Sequence, residues 1–308
     1  MSTQPAGLEK LSGAESAALD ELGDASIEEV LSALDRPAPD ARALYYRWER
    51  QQWEAGAIDF SIDAADWREL EPQARTSLLE SLSCLSDRSD GGDRTEDLLV
   101  PFVDAVPTED QQVFLTSQLA DRARAGVFFE RFASDAVGAG DPAEGLRGDG
   151  LVELLDMVAA RAELVRHQRD ASASLYEGIF LYNVLFQGVI APIVHRDVDD
   201  LLTKLRRLPG LRAGLLALAR DSTRHALFGV RLLQEKTAPS AGAPDDDFTE
   251  GIEALIEQAI PLIQGVVRGS GAAGDGTPED PAGAPDPSAT AMELLARRMQ
   301  DIGIDLPT

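Results

Sequence analysis

At 308 residues, 44% hydrophobic and 27% charged, the chain has the composition of a soluble folded protein and ample length for a core. Its net charge of −26 repels polyanions, which excludes nucleic acid and anionic membrane surfaces as partners. A single cysteine, Cys84, excludes an intramolecular disulfide framework and a cysteine-rich zinc site, and is expected to be a small buried apolar residue.

The opening stretch MSTQPAGLEKLSGAES has neither a basic n-region nor an apolar h-region, so no secretion signal is read there. No apolar run is seen to approach the roughly 18–20 residues of a membrane helix, and the expected compartment is the cytoplasm. Only three of the 28 basic residues are lysines (Lys10, Lys204, Lys236). That bias fits a GC-rich genome or adaptation to high salt and says nothing of function.

Residues 1–40 are polar, with one short amphipathic piece, IEEVLSALDR, before Pro37 and Pro39. ALYYRWERQQWEAG reads as a helix. IDFSIDAADW reads as an irregular connection into a second helix, from REL through SCLS. Gly91 and Gly92 break that helix, since glycine costs about 1 kcal/mol relative to alanine inside one. TEDLLVPFVDAV and EDQQVFLTSQLADRARAGVFFERF continue the pattern, with Phe114, Leu115, Leu119, Ala123, Val127 and Phe128 at three-and-four spacing. After GAGDPAEG come three long helices, LVELLDMVAARAELVRHQRD, SLYEGIFLYNVLFQGVIAPIV and LRAGLLALARDSTRHALFGVRLLQE. The apolar positions Ile179, Phe180, Val184, Leu185 and Ile190 are read as core. KTAPSAGAPDDD then precedes a further helix, IEALIEQAIPLIQGVV. The organisation is a polar segment over 1–40, an all-α domain over 41–268, a Gly/Pro/Asp-rich linker over 269–288, and an amphipathic C-terminal helix over 289–308, a loosely attached tail that docks back. No repeat of solenoid period is visible.

Several blocks carry a resemblance to a known family: RWERQQWEAGAIDFSIDAADW, TEDLLVPFVDAV, QLADRARAGVFFERF, and LYEGIF with RDSTRHALFG. In this order the chain resembles the ribonucleotide reductase small subunits, most closely the ligand-binding oxidases built on that fold. The resemblance implies an all-α, ferritin-like helical bundle. In active relatives two metal ions are held by a carboxylate from the first core helix, Glu-x-x-His from the second, Glu from the third and Glu-x-x-His from the fourth. Carried over position by position, the second-helix pair falls on Arg122 and Ala125, the third-helix Glu on Glu177, and the fourth-helix pair on Ser222 and His225. The first-helix carboxylate falls on Gly91 or Gly92, with Asp93 adjacent. Only Glu177 and His225 remain of six ligands, and both are expected to face one interior space. The radical-type tyrosine position is Phe129. The tyrosine that crosslinks in the ligand-binding oxidases, five before the third-helix Glu, falls on Ser172.

The resemblance also sets expectations for the charges. Arg122 either turns inward to pair with Glu177, replacing the metals by a salt bridge, or rotates to the surface; the inward pair is the expectation taken. Asp121 and Asp221 match aspartates that orient ligand histidines. Asp121 would face His225, and Asp221 would be free or paired with an arginine such as Arg124. Both are otherwise ordinary surface aspartates. His225 reads as a satisfied core histidine, and His167 and His195 as solvated. Emptied metal positions would enlarge a hydrophobic tunnel for a fatty-acid-like molecule. The function implied is that of a metal-free, catalytically degenerate relative, acting as a structural or binding partner or as a binder of an apolar small molecule. It would form a homodimer or pair with an active paralogue, with no cofactor. The alternative is an oxidoreductase holding one iron or manganese ion through Glu177, His225 and a third group such as Asp93 or Asp121.

Overall fold

The computed structural model describes residues 25–86, 95–138, 149–168, 172–238, 246–270 and 286–304; among them are helices and turns but no strand. The first helix, α1 (Ile27–Leu31), is one turn held by a capping box in which Ser26 Oγ accepts from Glu29 N while Ser26 N donates to Glu29 Oε2. α2 (Ala41–Arg50) starts at an Asp40 cap. There follow α3 (Ser61–Glu69), α4 (Pro72–Leu85), α5 (Thr95–Ala105), α6 (Glu109–Arg131) and α7 (Asp149–His167). α8 (Ser172–Ile179) runs without a break through a π-helical stretch, Phe180–Ile190, into α9 (Ala191–Leu205). The last three are α10 (Pro209–Thr237), α11 (Asp246–Ser270) and α12 (Pro287–Ile302). The predicted all-α, ferritin-like bundle is the observed class.

The π-helical stretch is the axis of the core. Every residue from 178 to 195 is buried, including the expected core positions Ile179, Phe180, Val184, Leu185 and Ile190. It packs most extensively on α10, with α7, α9, α11 and α12 around it. The helix spanning Ser172–Leu205 is long and apolar enough to cross a membrane by length and composition, which corrects the reading of the apolar runs. Its apolar window lies wholly inside the bundle, where other helices take the place of lipid. Cys84 is buried at the end of α4.

The segment IDFSIDAADW is not irregular, since Ser61–Glu69 forms α3. Its periodicity is weak, and tertiary contacts fix it. Trp67 meets Phe132 edge to face at 5.7 Å, and Asp63 is fully buried beneath α10. Asp63 Oδ2 accepts from Gly210 N at 2.9 Å and Oδ1 from Leu211 N at 2.7 Å. A carboxylate borrowed from α3 thus satisfies the first free N–H groups of α10 and sits at the positive end of its dipole. Arg206 and Leu208 adopt left-handed φ values of 52° and 62° to make the turn into that helix.

Gly91, Gly92 and Asp93, the positions matched to the first-helix carboxylate, lie outside the described residues.

Candidate functional site

α2 and the turn after it, α6 and α10 bring two aspartates, two arginines, two tryptophans and a histidine into one buried network. Asp121 Oδ2 accepts from His225 Nε2 at 2.9 Å and from Arg224 Nη2 at 2.6 Å. Its Oδ1 accepts from Trp48 Nε1 at 2.8 Å and from Arg124 Nη2. Asp221 is the second hub. Trp53 Nε1 donates to its Oδ2 at 2.9 Å, Arg224 Nη2 donates to its Oδ1 at 2.7 Å, and Arg124 lies 3.7 Å away. Gln51 and Gln52 accept from Arg224 and Arg124 respectively, and the Arg124 guanidinium stacks 5.2 Å over the Trp53 ring. Neither aspartate is a surface residue: both are at least 98% buried.

Burial alone would push Asp121 up, but Arg224, the His225 hydrogen bond and Arg124 outweigh it and hold the carboxyl far below the usual carboxylate range. Burial pushes His225 down against the pull of Asp121, so the ring is neutral at pH 7. With Nε2–H committed to Asp121, the His225 lone pair is on Nδ1, which is buried and has no partner. Burial also works against the Arg224 charge, and Asp221 and Asp121 more than restore it. Two carboxylates and two guanidinium groups cancel in charge, while His225 Nδ1 and the Nε atoms of Arg124 and Arg224 remain buried without a hydrogen-bond partner.

A second cluster lies beyond this network. Arg122 of α6, Gln187 of the π-helical stretch, His195 of α9 and Ser222 of α10 line one void of about 10 Å³, walled by Leu85, Phe186 and Leu218 among others. That is the scale of a single water-sized guest. Arg122 is buried and its Nη2 donates to Leu85 O at 3.4 Å. Gln187 Nε2 donates to Tyr182 Oη at 3.1 Å, but Gln187 Oε1 has no partner. Both ring nitrogens of His195 are also buried without partners. Each such atom costs about 1–3 kcal/mol if nothing meets it. Burial, with Arg122 adding to it, pushes His195 down to about 3. His195 is therefore a neutral core histidine rather than a solvated one; the expectation failed because the apolar run around it was not carried one turn further.

This void corrects the sequence register. Glu177 is not beside Arg122 or His225. It pairs with Arg161 of α7 at 3.0 Å, with both side chains over one-fifth exposed, and its Oε1 faces Gly251 of α11. The expected Arg122–Glu177 salt bridge is not made. Glu177 and Gln187 are ten residues apart on one continuous helix, roughly 15 Å of rise, so they cannot serve one site. Gln187, not Glu177, shares the void with Arg122 and Ser222. Five residues before it stands Tyr182, which is fully buried. Sequence reasoning also passed over Arg224, Asn183 and the two tryptophans. Asn183 Nδ2 bonds Gln118 Oε1 and His225 O, tying the core axis to α6 and α10. The available signal was Asn183 and Gln187 themselves, lone polar residues in an apolar run, where a buried amide needs a partner.

These residues do not fit a di-metal centre. Around the void stand Arg122, Gln187, His195 and Ser222, with no carboxylate among the lining residues and one guanidinium. Among the described residues no three His, Cys, Asp or Glu side chains come together to hold an ion.

No family model matches the sequence and no curated protein matches it. Solved structures do match. A point mutant of an R2-like ligand-binding oxidase with aerobically reconstituted Mn/Fe cofactor superposes with a TM-score of 0.72 at 18% identity, covering 86% of this chain and 97% of that one. An R2-like ligand-binding oxidase with aerobically reconstituted Mn/Fe cofactor after a long soak gives a TM-score of 0.71 at 19% identity, covering 85% of this chain and 92% of that one. The chain thus has the ribonucleotide reductase small-subunit type of ferritin-like fold.

Proposed function

We propose that this chain is a metal-free, catalytically degenerate protein on the ligand-binding-oxidase scaffold, working as a structural or binding partner. The observation that carries this reading is the void shared by Arg122, Gln187 and Ser222. These groups are neutral or cationic, and a divalent pair needs the opposite field. His225 keeps its Asp121 orienter, which now serves the surrounding charge network. The working unit is a cytoplasmic homodimer or a heterodimer with an active paralogue. An apolar small molecule would use the surface groove of about 440 Å³ between α2, α5 and α6, lined by Tyr45, Trp48, Val103 and Val113.

A second reading is favoured by the Mn/Fe cofactor of the structural neighbours: an oxidoreductase with one rebuilt iron or manganese site. Among the described buried imidazole nitrogens, His225 Nδ1 and the two ring nitrogens of His195 have no hydrogen-bond partner. Glu177 is committed to Arg161, and both oxygens of Asp121 are taken. Metal analysis of protein from iron- and manganese-supplemented medium separates the two. Well under one equivalent per chain is expected; one tightly held ion supports the second reading, and two overturn the first.

A further inference from the structure

The surface groove between α2, α5 and α6, at about 440 Å³, has the volume of a small-molecule site. Two of its lining residues form a rigid aromatic pair: the Tyr45 and Trp48 rings stack with centroids 5.5 Å apart and an interplanar angle of 26°. Both polar edges are spent elsewhere. Trp48 Nε1 donates to Asp121 at 2.8 Å, and the Tyr45 hydroxyl is drawn to Glu49. The pair therefore offers a ligand ring surface, whose faces are negative. The Thr116 and Ser117 hydroxyls donate to Gln112 O at 2.9 Å and to Phe114 O at 2.6 Å, so only their lone pairs are open. Asp104, exposed on α5, adds a carboxylate, and among the described residues no Lys, Arg or His lines the groove.

We propose that this groove binds an organic cation, an amine or quaternary ammonium group on an apolar body, with its charge shared between Asp104 and the Tyr45–Trp48 rings. The inference rests on the small-molecule reading of the groove given above and supplies the ligand's charge. A neutral apolar molecule would cover the carboxylate and the lone pairs without meeting them, and an anion would find a carboxylate and no cation. A cation meets the acceptors and gains from the ring faces as well. The net charge of −26 draws any cation from a distance, and the groove selects one with an apolar body.

Titration of the full-length protein with benzyltrimethylammonium chloride, followed by tryptophan fluorescence, tests this. Trp53 and Trp67 are buried and Trp48 is not, so a change on binding reports the groove. Benzyl alcohol is the neutral counterpart, and sodium chloride at equal concentration removes the general salt effect. A saturable change is expected with the cation, and binding roughly tenfold weaker or none with the alcohol. Asp104→Asn should weaken the cation several-fold, and Val113→Arg, which sets a positive charge in the groove, should abolish binding. Asp200→Asn makes the same charge change on α9, outside the groove, and should leave binding as it is. Equal losses in the two Asp→Asn variants would mean attraction by the bulk charge and overturn the site. Equal affinity for alcohol and cation overturns the cation and leaves the apolar-ligand reading standing. No saturable change with either overturns both, and a dimer by light scattering in that case assigns the face to a second copy of the chain. The metal-free reading is judged separately, by metal content.

Discussion

His195 has two buried, unpartnered ring nitrogens and a guanidinium as its charged neighbour, so protonating it in the folded state is costly. The sign of the consequence follows from linkage. The folded value near 3 lies below the unfolded value of about 6.5, so below that pH the unfolded chain binds the extra proton and stability falls. The loss sets in as pH drops through about 6.5 and continues toward 3. Between pH 7 and pH 5 it amounts to about 2 kcal/mol, and His225, also held neutral by burial, adds to it in the same direction. His195→Phe should therefore flatten the pH dependence by roughly that amount. Urea unfolding at the two pH values checks it. Charge relief on the acidic surface affects both proteins alike and cancels in the comparison. A variant with the wild-type slope would show that His195 titrates freely. At this scale the sequence was partly legible. The RDSTRH frame placed Asp221 and His225, and the Asp121–His225 contact spans 104 positions. Arg224 was hidden, because nothing in a charged residue's neighbours along the chain says that both its partners are buried.

Most helices were legible in order from their apolar spacing, although of the positions read as one face on α6 only Phe114, Leu115 and Phe128 are buried, while Leu119 is half-buried and Ala123 and Val127 are exposed. Two elements were not. The π-helical stretch from Phe180 to Ile190 winds with i→i+5 bonds, so residues that share a face no longer follow the 3.6 spacing. A register carried forward from the LYEGIF block therefore assigned the site to Glu177, whereas Glu177 pairs with Arg161 and Gln187 lines the void beside Arg122. The second was α3, where Asp63 and Trp67 point inward among polar neighbours and the apolar pattern is weak. Its role gives a prediction at this scale. Asp63 is the side chain that meets the N–H groups of Gly210 and Leu211, and α10 carries Asp221, Ser222, Arg224 and His225. Asp63→Ala should cost about 2 kcal/mol, the upper range for losing a helix cap, because it strands two buried donors. Hydrogen exchange would rise first at the start of α10. Unchanged Tm together with unchanged exchange there would mean that solvent replaces the carboxylate and that α10 does not depend on α3.

For the whole molecule the question is whether α12 is a tail or part of the core. Its sequence, separated from the rest by a Gly/Pro-rich stretch, suggested a loosely attached tail that docks back. It does dock, and its burial is that of a core helix. Ala291, Leu295 and Met299 are fully buried against the π-helical stretch, α10 and α11. Arg298, 99% buried, donates to Leu34 O at 2.6 Å and pairs with Asp301 at 2.9 Å, tying the C-terminal helix to the turn after α1. Gln234 and Thr237, at the end of α10, donate to the carbonyls of Asp301 and Ile302. Removing α12 would uncover the side of the core axis that holds Gly188, whose position lies against Arg298. Losing the burial of Leu295, Met299 and Ile302 alone costs roughly 4.5–9 kcal/mol at about 1.5–3 kcal/mol each. That is comparable with the whole stability of an ordinary domain, about 5–15 kcal/mol. A chain ending before Asp286 should therefore lose its cooperative thermal transition and bind a hydrophobic dye, and a synthetic peptide covering 286–304 should restore the transition when added in excess. If the shortened chain instead melts within a degree or two of the full protein, α12 is a detachable arm and the core closes without it.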